Sequence, residues 1–499
     1  MCGIVGAFDS KKEIGIPFIK DMLDKIKFRG NEETLFEMDC VEDAGVFLGT
    51  NRLPITKPMN NKQPVVSENN EIMLVMNAEI FNYRKLSADY GLNNIIESDS
   101  GDTIFLAEFI SNYGIKKTLS EINFEGAFIY FDKKSKQIVF ARDHLGIKPL
   151  YYISENGKLL ISSEIKGLVD YKCSRINVVE PGHVYFYDLE SQKLESEKWF
   201  TVEKGLEKES LSEIFKSAVE ERIPDEKYAI LLSGGLDSSL VMAAALRKNR
   251  NFVAYTLCTC DSPDLLFARN LCKKHDIELI EVKAESSEQL KEKIPKIVGI
   301  VESWQWQVIN HSAPMDVLFK KIHDDGIKVV LTGEGADELF FGYDNYGCEK
   351  EGKNEERIRR IQDLHKTNCR RLDRMAMAYS IECRVPFLDK RMVQHALNYS
   401  FDECVTADNN KMPLRKMAEE YLDIDYCQRK KLSLAKGAGY KYGSGYEEKN
   451  VFGINNDFSY DMSENKYMQY AIYPIERYLI DIAYKLGYLK AEYLITAGI

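Results

Sequence analysis

Short apolar runs bounded by turn residues fill the first 190 positions of the chain and predict strands. Ile72–Met76 (IMLVM) is one such run. Ala127–Phe131 (AFIYF) and Ile138–Ala141 flank the polar stretch DKKSKQ, the signature of a hairpin. A helix is predicted at Thr103–Ile110. From about residue 207 the rhythm changes to strand, turn and helix. Tyr228–Leu232 (YAILL) leads through SGGLDSS into an apolar helix at Leu240–Leu246. Phe252–Leu257 precedes a helix starting near Pro263, and Ile277–Val282 follows as a strand. Ile327–Leu331 (IKVVL) runs into TGEGADELF. Strands alternating with helices imply βαβ units and a parallel sheet. The charged stretch Glu195–Lys208 has no strong periodicity and is the predicted linker. No repeat of solenoid length and no low-complexity segment is present. The closing part of the chain is rich in Tyr, Gly and Asn before an apolar helix near Ile475–Leu486.

At 499 residues the chain is too long for one ordinary domain, and two to three are expected. Its 44% hydrophobic and 29% charged residues are those of a soluble globular protein with material for large cores. A net charge of −11 argues against non-specific binding to nucleic acid or to an anionic membrane. Anionic ligands remain possible, since they need only a local cluster of donors. No run approaches the ~20 apolar residues that span a bilayer. The N-terminal MCGIVGAFDS lacks the basic and long apolar regions of a signal peptide. Of the 11 cysteines, Cys258 and Cys260 form only an isolated C-x-C, without a second pair at metal-ligand spacing. An odd count with no framework predicts reduced thiols and a cytoplasmic protein.

Met1-Cys2-Gly3 carries the first candidate chemistry. Methionine is readily removed before a small residue, which leaves Cys2 with a thiol and a free α-amino group. An α-amino group titrates near pKa ~8, so one residue supplies both nucleophile and base. Alone, CGIVG reads as an edge strand. Its company changes that. Arg52-Leu53 and Ile55 follow, then Asn77-Ala78-Glu79-Ile80-Phe81-Asn82, Gly101-Asp102, and Ala141–Tyr152 (ARDHLGIKPLYY). In this order the segments resemble the class II, N-terminal-nucleophile glutamine amidotransferases over residues 2–190. The resemblance implies an αββα Ntn-hydrolase sandwich, antiparallel sheets between helices. It also implies that Cys2 is catalytic and that Arg52, Leu53, Ile55, Asn77, Ala78, Glu79 and Asp102 bind glutamine. The residue types suit those roles. Arg52 offers a fork to the carboxylate, while Asp102 and Glu79 can pair with the ammonium. Asn77 and the backbone N–H of Ala78 can form an oxyanion hole. Three departures stand out. The family's N-G-E is N-A-E, so Ala78 is expected in a conformation that glycine normally adopts. R-G-P-D reads Arg29-Gly30-Asn31-Glu32, and a family histidine is Thr50.

Between a predicted strand and a predicted helix stand Ser233, Gly234, Gly235, Leu236, Asp237, Ser238 and Ser239. Glycines let backbone N–H groups approach phosphate, and a helix N-terminus adds partial positive charge. Without the lysine of G-x-x-x-x-G-K-[ST] it is not a Walker loop. It resembles the PP-loop of ATP pyrophosphatases, a parallel-sheet α/β fold, which implies ATP as substrate and release of pyrophosphate. The resemblance adds Leu232 and Leu257 as adenine contacts and Thr332 and Gly333 as ATP ligands. In Thr332-Gly333-Glu334-Gly335-Ala336-Asp337-Glu338, two acids follow a strand's carboxyl end, where open α/β sheets bind ligands. Asp237 and Asp337 are the candidates for Mg²⁺, which takes one or two carboxylates plus substrate phosphates. Glu334 matches the residue the family needs to form an acyl-adenylate.

Arg371–Arg374, Glu382–Asp389 (ECRVPFLD) and Lys431–Gly439 (KLSLAKGAG) extend the likeness to the asparagine synthetase family. It covers about residues 207–440, within a second domain placed at 207–499. A cation at Lys431, or at its neighbour Lys430, would neutralise charge developing on the phosphates. The family stretch E-T-Y-D-V-T-T-I-R-A-S-T-P-M reads Glu302–Met315 (ESWQWQVINHSAPM) here. Thr-Thr becomes Gln307-Val308, and an arginine becomes Asn310, for which Lys436 is a substitute cation. The resemblance implies glutamine, ATP and aspartate as substrates and leaves room for a homodimer. The alternatives are the same chemistry on another carboxylic acid, a β-lactam synthetase-like cyclase, and a silent nucleotide or glutamine sensor.

Overall fold

The computed structural model describes residues 2–11, 13–41, 44–55, 62–92, 101–205, 209–259, 262–343, 352–430 and 474–490. The first half folds as two stacked antiparallel sheets. One orders its strands Asn177–Val178, Tyr151–Glu155, Lys158–Ser162, Cys2–Asp9, Ala44–Arg52 and Glu33–Val41. The other runs Leu194–Lys198, His183–Asp188, Gln137–Arg142, Phe124–Asp132, Ile72–Ile80 and Val65–Val66. Between them lies a core built around Ile4, Phe8, Val75, Ile129, Phe140 and Ile161. The helix Ile16–Lys25 packs on the outer face of the first sheet, and Gly101–Glu121 on that of the second. Every residue of Cys2–Asp9 and Ile72–Ile80 is therefore buried, which is why those runs are mostly apolar or small and do not alternate; Asp9, Asn77 and Glu79 are their buried polar exceptions.

Two sequence expectations change here. The strand Leu194–Lys198 pairs with His183–Asp188, so the sheet continues past residue 190 into the stretch read as a linker. Its charged residues are the exposed side of an edge strand, which alone has no apolar face to announce it. The helix expected at Thr103–Ile110 runs from Gly101 to Glu121, with a kink at Gly114 (φ 74°) that breaks its period.

The second half is a five-stranded sheet, every pair of it parallel. Its order is Leu279–Lys283, Phe252–Cys258, Tyr228–Leu231, Val329–Leu331 and Glu382–Arg384. The chain winds one way from Tyr228–Leu231 and then returns to build the other side from Val329–Leu331. Those two central strands flank the switch point where open α/β sheets take ligands.

Buried ion pairs join the two halves. Arg29, with a fully buried side chain, bonds Glu164 at 2.7 Å and reaches Asp373 of the second half at 2.8 Å. Arg222 bonds Glu125 at 2.6 Å and Asp389 at 2.8 Å, again across the boundary. Arg374 meets Glu302 at 2.9 Å, and Glu302 also accepts the backbone N–H groups of Ile165 and Lys166. Removing one partner of such a pair costs about 3–5 kcal/mol, because the other is left charged and dry. The interface thus fixes one relative placement of the halves.

Candidate active site

The first cluster gathers where the two antiparallel sheets meet at the chain's start. Strand register sets Cys2 opposite Arg52. The backbone N–H of Cys2 donates to Asn77 Oδ1 at 3.0 Å, and Arg29 Nε donates to the Cys2 carbonyl at 3.3 Å. Asn77 is completely buried, and its Nδ2 has no hydrogen-bond partner among the described residues. A buried amide N–H without an acceptor is costly, so its persistence beside Cys2 suits a donor reserved for an oxyanion. Gln63 is anchored by accepting the Met76 N–H at 2.7 Å, and its Nε2 lies 3.9 Å from Cys2 Sγ.

Asp102 sits in the first turn of the helix Gly101–Glu121, entered through Gly101 at φ 68°. It accepts the N–H of Ile80 at 3.1 Å, which holds it next to Glu79. Burial and then the Glu79 carboxylate push Asp102 up to about 8. Leu53 and Ile55 are buried in the hydrophobic core behind Arg52. Arg52 itself has Glu33 at 4.0 Å.

Ala78 corrects an expectation. It lies within an ordinary strand, and it is not among the residues with positive φ. No glycine conformation is needed, because the space is found opposite. A Cβ on its register partner Gly126 would stand 2.1 Å from Ala78 Cβ. The methyl group that the family omits on one strand is accommodated by a glycine on the next.

The second cluster forms at the switch point. Leu232 directly follows the central strand, donating its N–H to the Tyr255 carbonyl at 2.8 Å, and Leu257 is buried on the neighbouring strand. Gly234 has φ 76°, and a Cβ there would strike the Asp264 carbonyl at 2.7 Å, so this turn requires glycine. Ser233 Oγ accepts the Gly235 N–H at 3.2 Å and meets Ser238 Oγ at 3.1 Å. The helix Leu236–Lys248 then starts with Gly235 as its cap, presenting its first N–H groups at the loop. Ser239 Oγ is buried with no partner among the described residues.

The Thr332-Gly333 turn packs directly on this loop. A Cβ on Gly333 would lie 2.9 Å from the Ser238 nitrogen. Asp237 and Asp337 converge, as their sequence positions suggested, but on a side chain that the sequence gave no reason to select. Lys411 Nζ lies 2.6 Å from Asp237 Oδ2 and 2.5 Å from Asp337 Oδ1. Lys411 is 3% exposed, so this is a buried counter-ion and not a surface pair. Glu334 bonds Arg371 through both oxygens at 3.0 Å. Glu338 turns away to Tyr343 and Asn368, and burial and Glu334 raise it above the usual carboxylate range.

Lys431 and Lys436 lie outside the described residues. Lys430 is exposed. Trp304 and Trp306 are buried in the hydrophobic core, and Asn310 is buried on the helix Trp306–Ser312, which begins just after Trp304. Core packing explains both indoles. The residues missed in the sequence are Arg29, Gln63, Arg371 and Lys411. Arg29 and Arg371 stood in segments noted for other reasons; Gln63 and Lys411 lie in plain polar stretches with no local signal.

Residues 1–222 match the family described as a glutamine amidotransferase domain, and residues 210–359 and 349–451 match asparagine synthase. The chain is 28% identical over 467 residues to the glutamine-hydrolysing asparagine synthetase B of Escherichia coli strain K12, covering 89% of this chain and 83% of that one. It is 28% identical over 477 residues to the glutamine-hydrolysing asparagine synthetase 3 of Arabidopsis thaliana, with 90% and 81% covered. A glutamine-hydrolysing asparagine synthetase of Zea mays is 29% identical over 434 residues, with 82% and 73% covered.

Proposed function

This chain belongs to the family of glutamine-hydrolysing asparagine synthetases, and from that premise we propose that it moves the amide nitrogen of glutamine onto aspartate while ATP is cleaved to AMP and pyrophosphate. Cys2 Sγ attacks the glutamine amide carbon and passes its proton to the α-amino group freed by loss of Met1. The oxyanion that forms is met by Asn77 Nδ2 and the Ala78 N–H. Arg52 takes the glutamine carboxylate, with Leu53 and Ile55 behind it, and Asp102 and Glu79 take the α-ammonium. Collapse of the intermediate leaves a thioester and releases ammonia. Water then attacks the thioester and frees glutamate and Cys2.

In the second domain an aspartate carboxylate oxygen attacks the α-phosphorus of ATP. The P–O bond to pyrophosphate breaks, and an acyl-adenylate remains. The loop from Ser233 to Ser239 holds the departing pyrophosphate against its N–H groups, with Leu232 and Leu257 at the adenine and Thr332 and Gly333 beside the phosphates. Glu334, braced by Arg371, faces the carboxylate being activated. Ammonia then attacks the acyl carbon and AMP leaves.

Two carboxylates that share one buried ammonium, with Asp237 Oδ1 unpartnered among the described residues, are a donor set that fits a hard cation. Asp237 and Asp337 would hold Mg²⁺, which supplies charge neutralisation at the phosphates. Lys411, buried beside both carboxylates, would add its own positive charge near the phosphates. Lys431 is assigned by resemblance to the same charge-neutralising role. A cytoplasmic setting is supported by eight cysteines that are free thiols among the described residues. The domain division stays at 2–190 and 207–499, with the strand to Lys198 appended to the first unit. A homodimer is part of the reading by family resemblance alone.

The observation that carries the proposal is the Cys2–Asn77 pair on the same chain as a carboxylate pair beside the SGGLDSS loop. The test is a panel of carboxylic acids screened for pyrophosphate release with ammonium present. Aspartate is expected to support release. Silence with aspartate alongside turnover with another acid would overturn the acceptor while leaving the reaction class standing.

A further inference from the structure

Glu79, on the glutaminase strand Ile72–Ile80, does not stand alone in its pocket. Its Oε2 lies 3.2 Å from Nη2 of Arg384, a residue of the other domain. Arg384 ends the edge strand of the parallel sheet, and its carbonyl accepts the N–H of Thr332 at 3.2 Å. Two arms of its guanidinium are tied down within its own domain. Nε donates to Glu382 Oε1 at 2.6 Å, and Nη1 donates to the Arg222 carbonyl at 3.0 Å. The third arm reaches Glu79. The Arg384 side chain is 3% exposed and that of Glu79 is 10%, so water screens the contact little. The face of Phe81, 5.7 Å away, covers the guanidinium from the glutaminase side.

Glu79 shares its pocket with Asp102, and two buried carboxylates side by side resist joint ionisation. A fixed cation on Glu79 settles which of them carries charge and in what orientation. We propose that Arg384 is a positioning residue of the glutaminase site, holding Glu79 ionised and oriented for the glutamine α-ammonium, so that the glutamine pocket is completed by the synthetase domain. The proposal rests on the reading above that Glu79 takes the α-ammonium.

The experiment uses the full-length chain and measures glutamine KM and kcat for glutamate release in Arg384→Gln, Arg384→Lys, Glu79→Gln and the double variants. Hydrogen bonds to charged groups are strong enough that losing one moves affinity about tenfold or more. Arg384→Gln and Glu79→Gln are each expected to raise KM by about that factor, with kcat within about threefold. In the Glu79→Gln background Arg384→Gln adds no further loss, because its object is already gone. Arg384→Lys, which restores charge without the fork, recovers part of the KM. Ammonia-dependent AMP formation in every variant reports that the second domain is folded. If Arg384→Gln fails to fold, the cycle of Arg384→Lys with Glu79→Gln carries the same test. Unchanged KM in Glu79→Gln refutes the glutamine-site reading and this proposal with it. A raised KM in Glu79→Gln, with Arg384 variants at parental KM or with losses that multiply, overturns the proposal alone.

Discussion

The glutamine cluster and the nucleotide cluster manage buried polarity in opposite ways. Around Cys2 the scaffold leaves a donor unpaired: Asn77 Oδ1 is tied to the Cys2 N–H, while Nδ2 has no partner among the described residues. Beside the SGGLDSS loop, by contrast, Asp237 and Asp337 are bridged by the one ammonium of Lys411. On the proposed reading, the first site keeps a dipole aimed where negative charge develops, which lowers a barrier without reorganisation. The other carries its own counter-ion, and on the proposed reading a triphosphate bound there competes for Lys411 with its two carboxylates. Substitutions at the first should therefore act on turnover, and at the second on whether the nucleotide is engaged.

Cys2→Ala gives the largest expected separation. Glutamate release from glutamine should fall by on the order of 10³-fold or more, while synthesis with ammonium salts continues. Protein that retains Met1 should behave likewise with glutamine. Asp237→Ala is the mirror image: AMP formation drops by about 10²–10³-fold and glutaminase turnover stays near parental. Loss of both activities in either variant would erase the contrast. Asn77→Ala should lower glutaminase kcat by about 10²-fold with a smaller change in KM, as expected for a donor used in the transition state. The smallest effect is with pH. Asp102 sits at about 8 because of burial and Glu79, so its carboxyl is protonated below that value and cannot pair with an ammonium. Glutamine KM should fall by up to about tenfold per unit as pH rises toward 8 and level off above it. Asp102→Asn should flatten that profile.

The sequence announced this contrast unevenly. Each cluster was legible where a local motif carries the chemistry: Cys2 at the chain's start, N-A-E-I-F-N on a buried strand, S-G-G-L-D-S-S between strand and helix. The parallel sheet followed from the alternation of strands and helices after residue 207. What stayed hidden depends on contacts distant in the chain. Lys411 lies 174 residues from Asp237, in a short polar stretch that reads as a loop. Ala78 departs from the family's glycine, and the room for its methyl group comes from Gly126 across the sheet, 48 positions away and invisible to the local motif. Leu194–Lys198 passed for a linker because an exposed edge strand has no apolar face to display. Trp304 and Trp306 stand in the stretch that departs from the family pattern, and their burial in the core gives them a packing role.

Transfer of nitrogen between the two sites is the central claim, and an isotope follows it directly. Full-length protein given glutamine labelled with ¹⁵N in the amide, aspartate, ATP and magnesium should form asparagine carrying the label in its amide. AMP, pyrophosphate and labelled asparagine should appear in equal amounts. Glutamate formation with unlabelled asparagine, or ADP as the stoichiometric nucleotide product, would contradict it.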